Sequence, residues 1–268
     1  MRIDELDYVY IDGIRCCRGH VLPYGATLVY GSAINFSISS HDATSCTLLL
    51  YPQNAEEPFA TIPIPEHFRM GDCYAIIVYE QDIEELEYTY RFDGPYDVAR
   101  GMRFDAGVDV IDPYAKLISG RDTWADDPSV RPPMRGKVIF DDYDWEGDRQ
   151  LETPLEDLVI YETHVRGFTK GNGSPAAHRG TYGAIVEMIP YLTRLGVNAI
   201  ELLPVFEFDD TDYATRAIGG TRNYWGYSTV GFFAPKAAYA YTGTLSMTCD
   251  ELTPSAGVTS THAASILL

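Results

Sequence analysis

Asp157-Leu-Val-Ile-Tyr-Glu-Thr-His-Val-Arg-Gly-Phe-Thr169 and, thirty residues on, Asn198-Ala-Ile-Glu-Leu-Leu-Pro204 are the two stretches that decide the fold of the C-terminal half. Residues 158–165 are rich in β-branched and aromatic side chains and read as a buried strand. Between the two stretches Ile185, Met188, Ile189, Leu192 and Leu195 recur at spacings of three and four, one face of a helix that starts near Tyr182. Gly196 stands where a left-handed C-terminal cap belongs, and Pro190, lacking an N–H, should kink the helix. Strand, helix and strand at this spacing make a right-handed βαβ unit, which requires parallel strands.

Working outward, the first 115 or so residues are punctuated like an all-β module. Ile34, Phe36 and Ile38 alternate with Asn35, Ser37 and Ser39, and Leu86, Tyr88, Tyr90 and Phe92 alternate with Glu87, Thr89 and Arg91. Each set is the period-two pattern of a strand with one apolar and one polar face. Thr47–Tyr51 and Ala75–Tyr79 are short apolar runs suited to core strands, and Gly, Pro, Asn and Asp clusters separate them all. A β-sandwich follows. Residues 119–156 show no periodicity and hold Pro128, Pro132, Pro133 and Pro154, which implies an extended connector.

Composition narrows the partners. The chain of 268 residues has a formal charge of −19, a field that repels nucleic acid and anionic membranes. A neutral polyhydroxylated ligand is indifferent to that field. The N-terminus, Met1-Arg-Ile-Asp-Glu-Leu-Asp, lacks the apolar core of a signal peptide, and no apolar run is long enough to cross a bilayer. The five cysteines (16, 17, 46, 73 and 249) have no metal-like spacing and suit buried free thiols in a reducing cytoplasm.

Several phrases carry a family likeness. Tyr90-Arg-Phe-Asp-Gly-Pro-Tyr96, Gly101-Met-Arg-Phe-Asp105 and Ile111-Asp-Pro-Tyr-Ala-Lys116, with Pro23–Thr27 as an opening turn, resemble the N-terminal sandwich of isoamylase-type enzymes. That sandwich is a carbohydrate-binding module of family 48. The segment 157–240, ending with Asn223-Tyr-Trp-Gly-Tyr227, resembles the start of the catalytic domain of isoamylase-type glycogen-debranching enzymes in glycoside hydrolase family 13.

The resemblance implies four parts. Residues 1–118 would be an immunoglobulin-like sandwich, 119–156 the connector, 157–240 the first two strands of an incomplete (β/α)8 barrel, and 241–268 a tail outside the family pattern. The tail, Ser/Thr-rich with Pro254 and Gly257, would arise from a frameshift or premature stop, or belong to a natural short protein. The parent activity implied is hydrolysis of α-1,6 branch linkages in glycogen or a related α-glucan, with no cofactor. A non-catalytic α-glucan-binding module, a branching enzyme and a maltooligosyl-trehalose hydrolase are the alternatives.

In a (β/α)8 barrel the site lies at the C-terminal ends of the strands. Aromatic faces suit the C–H faces of a pyranose, and phenol and indole tips can hydrogen-bond its hydroxyls. By resemblance Tyr227 is the residue that stacks on the sugar, with Trp225 and Asn223 shaping the same wall; packing of the loop on the barrel is the alternative. His164 and Arg166, at the end of the first strand, could line the cleft floor, with His164 the weaker substrate contact; Glu162 and Glu201 read as structural.

Glu207, Asp209, Asp210 and Asp212 form an acidic cluster, of which Glu207 and Asp210 are calcium candidates. Some relatives bind calcium with this loop, using an acid just after a Phe-x-Pro step. Here Lys236 occupies that place, so a solvated acidic loop without metal is expected. No catalytic residue is assigned. A retaining glycosidase needs two carboxyl groups across the bond, and in this family strands four, five and seven supply them.

Overall fold

The computed structural model describes residues 8–29, 33–124, 132–139, 149, 151–211, 222–241, 259–260 and 265–267. The chain divides into two compact units, one of Met1–Gly120 with Pro132–Phe140, the other of Arg121–Arg131 with Asp141–Leu268.

The first unit is a β-sandwich. One sheet runs β1 (Val9–Ile11), β2 (Ile14–Arg18), β7 (Cys73–Val78), β4 (Ala33–Ser39), β3 (Gly25–Val29). The other runs β11 (Leu117–Ile118), β12 (Gly136–Lys137), β8 (Leu86–Asp93), β5 (Ser45–Pro52), β6 (Ala60–Pro63). All the pairings in these two sheets are antiparallel. Ile34, Phe36 and Ile38 of β4 meet Leu48 and Leu50 of β5 and Tyr88 and Tyr90 of β8 in one core. Phe36 sets its ring edge-on to Tyr88, centroids 5.0 Å apart. Each such side chain stabilises by about 1.5–3 kcal/mol when fully buried.

The alternation correctly marks the inward residues, but most of the polar faces are covered, with Ser39 and Arg91 keeping contact with solvent. Asn35 and Ser37 are buried because residues 19–21 run across them. The Asn35 side-chain oxygen accepts from His20 N at 2.7 Å, its amide donates to His20 O at 3.0 Å, and Ser37 donates to Val21 O at 2.6 Å. Glu87 and Thr89, on the outer face of β8, are buried too. Arg135 stacks on the Tyr51 ring at 3.5 Å and donates to Glu87 at 3.2 Å, while Asp109 accepts from Tyr51, Thr89 and Arg91. A short polar side chain becomes satisfiable inside once a backbone segment lies over it.

Arg135 belongs to the stretch expected to be a connector. That stretch is instead divided between the units, with β12 pairing to β8 and β11, and Arg121 and Trp124 in the second unit.

In the second unit β13 (Ile160–Thr163) and β14 (Ala199–Leu202) pair in parallel, in register from Ile160↔Ala199 to Thr163↔Leu202. The expected buried strand is not buried: β13 alternates exposed and half-buried, with Val159 and Ile160 open to solvent. Among the described residues β13 pairs only with β14, so its other edge has no strand partner among them. Its C-terminal end turns at once into α1 (Val165–Lys170), a helix the sequence pattern did not show.

The expected kinked helix is two helices, α2 (Tyr182–Glu187) and α3 (Ile189–Leu195), broken at Met188, and Pro190 sits in the first turn of α3, where its missing N–H costs nothing. Gly196 is left-handed at φ 90° and caps α3 as expected, but Leu195 is exposed. The backbone of β18 (Ser265–Leu267) pairs antiparallel with β14 and with β17 (Thr259–Ser260), so part of the tail joins this sheet as an edge.

One buried acid makes the sandwich pH-sensitive. Asp112 is fully buried, where it accepts from Tyr88 Oη at 2.9 Å and Tyr114 N at 2.8 Å. Burial outweighs these bonds and raises its carboxyl pKa to about 6. A pKa raised on folding contributes stability below the unfolded value of about 3.9 and loses it as pH rises through about 6. The unfolding free energy of Asp112→Asn should therefore gain on that of the native chain between pH 4.5 and pH 7.5. Urea melts should show a gain on the order of 1–3 kcal/mol at the upper end; a pH-independent difference would remove this assignment.

Candidate functional site

The site of the second unit grows from the end of β13. His164 is the N-cap of α1, and its Nδ1 accepts from Gly167 N at 3.0 Å. That bond leaves the ring proton on Nε2, which donates to Tyr224 O at 2.8 Å, with the Tyr239 hydroxyl 3.2 Å away. The Tyr224 ring stacks on the imidazole, 4.2 Å between centroids and 6° from parallel. Trp225 stands edge-on to the same ring. His164 thus clamps the aromatic loop to the strand end. Burial, with the Arg166 guanidinium nearby, lowers its pKa and keeps it neutral.

The loop is shaped for this contact. Asn223 Oδ1 accepts from Gly226 N at 3.1 Å and closes a turn. Gly226 has φ 81°, and a Cβ there would stand 2.7 Å from the Phe208 ring, so the position needs glycine twice over. A Cβ on Gly167 would meet the Tyr224 hydroxyl at 2.6 Å. Beside the clamp lies an open cleft of about 570 Å3, with Glu162, Phe168 and Leu203 around Tyr161, His164, Tyr224 and Trp225.

Of the four residues expected to meet substrate, His164 and Trp225 line this cleft and Asn223 holds the turn behind it. Tyr227 is not in the lining; its side chain is exposed three residues beyond the stacked Tyr224. Trp225, at 56% exposed, and Glu162 offer an apolar face and a hydrogen-bond acceptor. Tyr224, within the same motif, is the ring that anchors the loop, a role its sequence position does not show. Glu201 sits beside Glu162 in the parallel register and is also exposed.

Two acids of the cluster, Glu207 and Asp210, are not solvated, contrary to expectation. β15 (Phe206–Phe208) pairs with β16 (Thr229–Pro235), and Glu207, Asp210 and Lys236 are wholly buried. The Lys236 ammonium donates to Glu207 Oε1 at 2.8 Å and Phe208 O at 2.9 Å, and faces the Phe208 ring at 4.6 Å. Glu207 Oε2 accepts from Ala237 N at 2.8 Å. Burial pushes the Glu207 carboxyl pKa up; the Lys236 charge and two backbone N–H groups pull against it.

Arg121 grips Asp209 with two bonds of 3.0 and 3.2 Å, which with Thr211 hold that carboxyl at about 2 despite partial burial. Arg222 lies 4.0 Å from Asp210. Glu207, the first calcium candidate, thus has both oxygens occupied by built-in donors, and among the described residues no group of three His, Cys, Asp or Glu side chains is placed to hold a metal ion. Asp212 lies outside the described residues.

Comparison with known proteins gives the family. Residues 23–115 match the family model for carbohydrate-binding module 48, the isoamylase N-terminal domain. Isoamylase SU1 of Zea mays, named as chloroplastic, is 36% identical over 247 residues, covering 89% of this chain and 31% of its own length. A glycogen debranching enzyme of Dickeya chrysanthemi is 37% identical over 224 residues, covering 76% of this chain and 32% of its own length. The chain is of the isoamylase type and corresponds to an N-terminal part of such debranching enzymes.

It spans about a third of the length of these relatives. A pullulanase of Paenibacillus barengoltzii, solved with maltohexaose and α-cyclodextrin, superposes with a TM-score of 0.64 at 20% identity over 85% of this chain and 34% of that one. At that identity the likeness is one of fold.

Two outcomes test the site. A histidine pKa lowered on folding stabilises above the unfolded value of about 6.5 and loses that contribution as pH falls below it. Acidification from pH 7 to pH 5 should destabilise the second unit, and in His164→Ala that dependence should shrink; tryptophan fluorescence of the unfolding transition reads it. Lys236→Met leaves Glu207 buried beside an apolar chain and should cost about 3–5 kcal/mol in denaturant melts. A loss below about 1 kcal/mol would mean that the pair is hydrated in solution.

Proposed function

We propose that the chain is part of a protein that debranches an α-glucan such as glycogen, with the second unit forming the first two strands of a (β/α)8 barrel. The observation that carries this reading is the aromatic loop after β14 clamped by His164 onto the C-terminal end of the parallel β13. Clefts of such barrels open at that end of the strands. Trp225 and the exposed Tyr227 supply ring faces for a pyranose, and Glu162 a hydrogen-bond acceptor. The family match of the sandwich supports the same substrate class.

In this reading the chain binds glucan and does not cleave it. Cleavage of a glycosidic bond needs a proton donor and a nucleophile or base on opposite sides. The cleft offers Glu162, while Glu207 is committed to Lys236 and His164 to the loop. Ring stacking is ground-state binding and lowers no barrier by itself. The buried Cys16, Cys17 and Cys46 are free thiols, which supports a reducing compartment such as the cytoplasm.

The purified chain should co-sediment with glycogen and release no reducing ends from glycogen or pullulan above a buffer control. Trp225→Ala should weaken the co-sedimentation several-fold. Reducing-end release that survives repurification would overturn the inactive reading, and absence of any glucan binding would overturn the substrate class.

A further inference from the structure

The sandwich carries a cleft of about 620 Å3 that the loop site does not involve. One wall is the hairpin of β9 (Tyr96–Asp97) and β10 (Met102–Arg103). Asp97 fixes the turn between them by accepting from Ala99 N at 3.1 Å and Arg100 N at 3.3 Å. Tyr96 and Arg103 are cross-strand partners, so ring and guanidinium rise from the same face of the hairpin. Phe92 and Phe104 line the cleft with them, and Tyr96 is 70% exposed.

The charges of this cleft are unevenly partnered. Asp105 accepts from Gly107 N at 2.9 Å, and Asp42 lies 3.7 Å from the His41 ring. His41 Nδ1 also bonds Asp72 at 2.9 Å, which pushes the imidazole pKa up and favours its cationic form. Arg100 and Arg103 differ. Both are exposed on the lining, and among the described residues neither has a carboxylate within ion-pair distance. In a chain of formal charge −19, two such guanidiniums in one aromatic cleft are a local exception. The wider acidic field is screened beyond about 8 Å at physiological salt, so the groups of the cleft decide what enters it.

We propose that this cleft binds a nucleoside phosphate, with the base stacked on Tyr96 and the phosphate held by Arg100 and Arg103. A planar heteroaromatic ring uses the aromatic sides, and a phosphate matches the forked donors of arginine. Amino and N–H groups of a base can donate to the lone pairs that Asp42 and Asp105 still offer. The proposal does not rest on the debranching reading.

Calorimetric titration of the intact chain with AMP, GMP and UMP in turn tests it, with adenosine, inorganic phosphate and glucose 6-phosphate as parallel ligands. At least one nucleotide should bind at a single class of site, and each parallel ligand should bind it about tenfold more weakly or worse. Tyr96→Ala and Arg103→Ala should each weaken the nucleotide about tenfold. Tyr96→Phe should retain it, and Arg194→Ala, which removes a charge from α3 of the second unit, should leave it unchanged. Both cleft side chains are exposed, and an unchanged melting temperature in each alanine variant excludes misfolding. If no nucleotide binds, the proposal fails. It fails equally if inorganic phosphate or glucose 6-phosphate binds as tightly as the nucleotide, since the base then contributes nothing. Nucleotide binding that survives both alanine substitutions would place the site elsewhere and overturn it.

Discussion

A single buried cation organises the second unit. The Lys236 ammonium has no access to water, and its bonds to Glu207 and to the Phe208 and Arg121 carbonyls tie β15, β16 and the start of that unit together. Leaving either charge unpaired there would cost several kcal/mol, so the segments that bring the partners are held to one arrangement. Phe208, anchored by this cluster, is the surface on which the Gly226 turn rests, and the same turn delivers Tyr224 to His164. The aromatic wall of the cleft is thus positioned from below by electrostatics and from the side by one neutral imidazole.

The cation at the loop is one the chain supplies itself. Oxygen donors such as a carboxylate and a backbone carbonyl could equally surround a hard metal ion. Here Glu207 Oε1 and the Phe208 carbonyl face an ammonium instead, at 2.8 and 2.9 Å. Trp124 packs near Phe208, Tyr224 and Tyr239 with the Arg166 guanidinium over its ring at 4.6 Å.

The sandwich solves a different problem. Both of its sheets carry polar residues on the face away from the core, and backbone segments or side chains from other parts of the chain cover several of them. Arg135 and Asp109 do this on one sheet, and residues 19–21 on the other. Such roofing ties non-adjacent parts of the chain to each sheet. It leaves the β9–β10 hairpin as a place where aromatic rings and charges still meet solvent together.

Alternation along β4 and β8, the apolar run of β5, the helical spacing after Tyr182 and the Gly196 cap were legible because each depends on residues within one element, and the aromatic motif 223–227 marked a candidate site. The burial of Asn35, Glu87 and Glu207 was not legible. A polar side chain is buried or solvated according to what a distant segment places over it, and the partners here are His20, Arg135 and Lys236. The same reason governs His164. Its position at a strand end could be read from sequence, but its service as a clamp depended on Gly167 and Tyr224 arriving together. The sequence by itself determined the main strands of the sandwich, the βαβ order of the second unit and the chemistry on offer. Tertiary structure decided which polar groups were paired and hidden, because pairing energy inside a protein belongs to contacts between segments and not to any one of them.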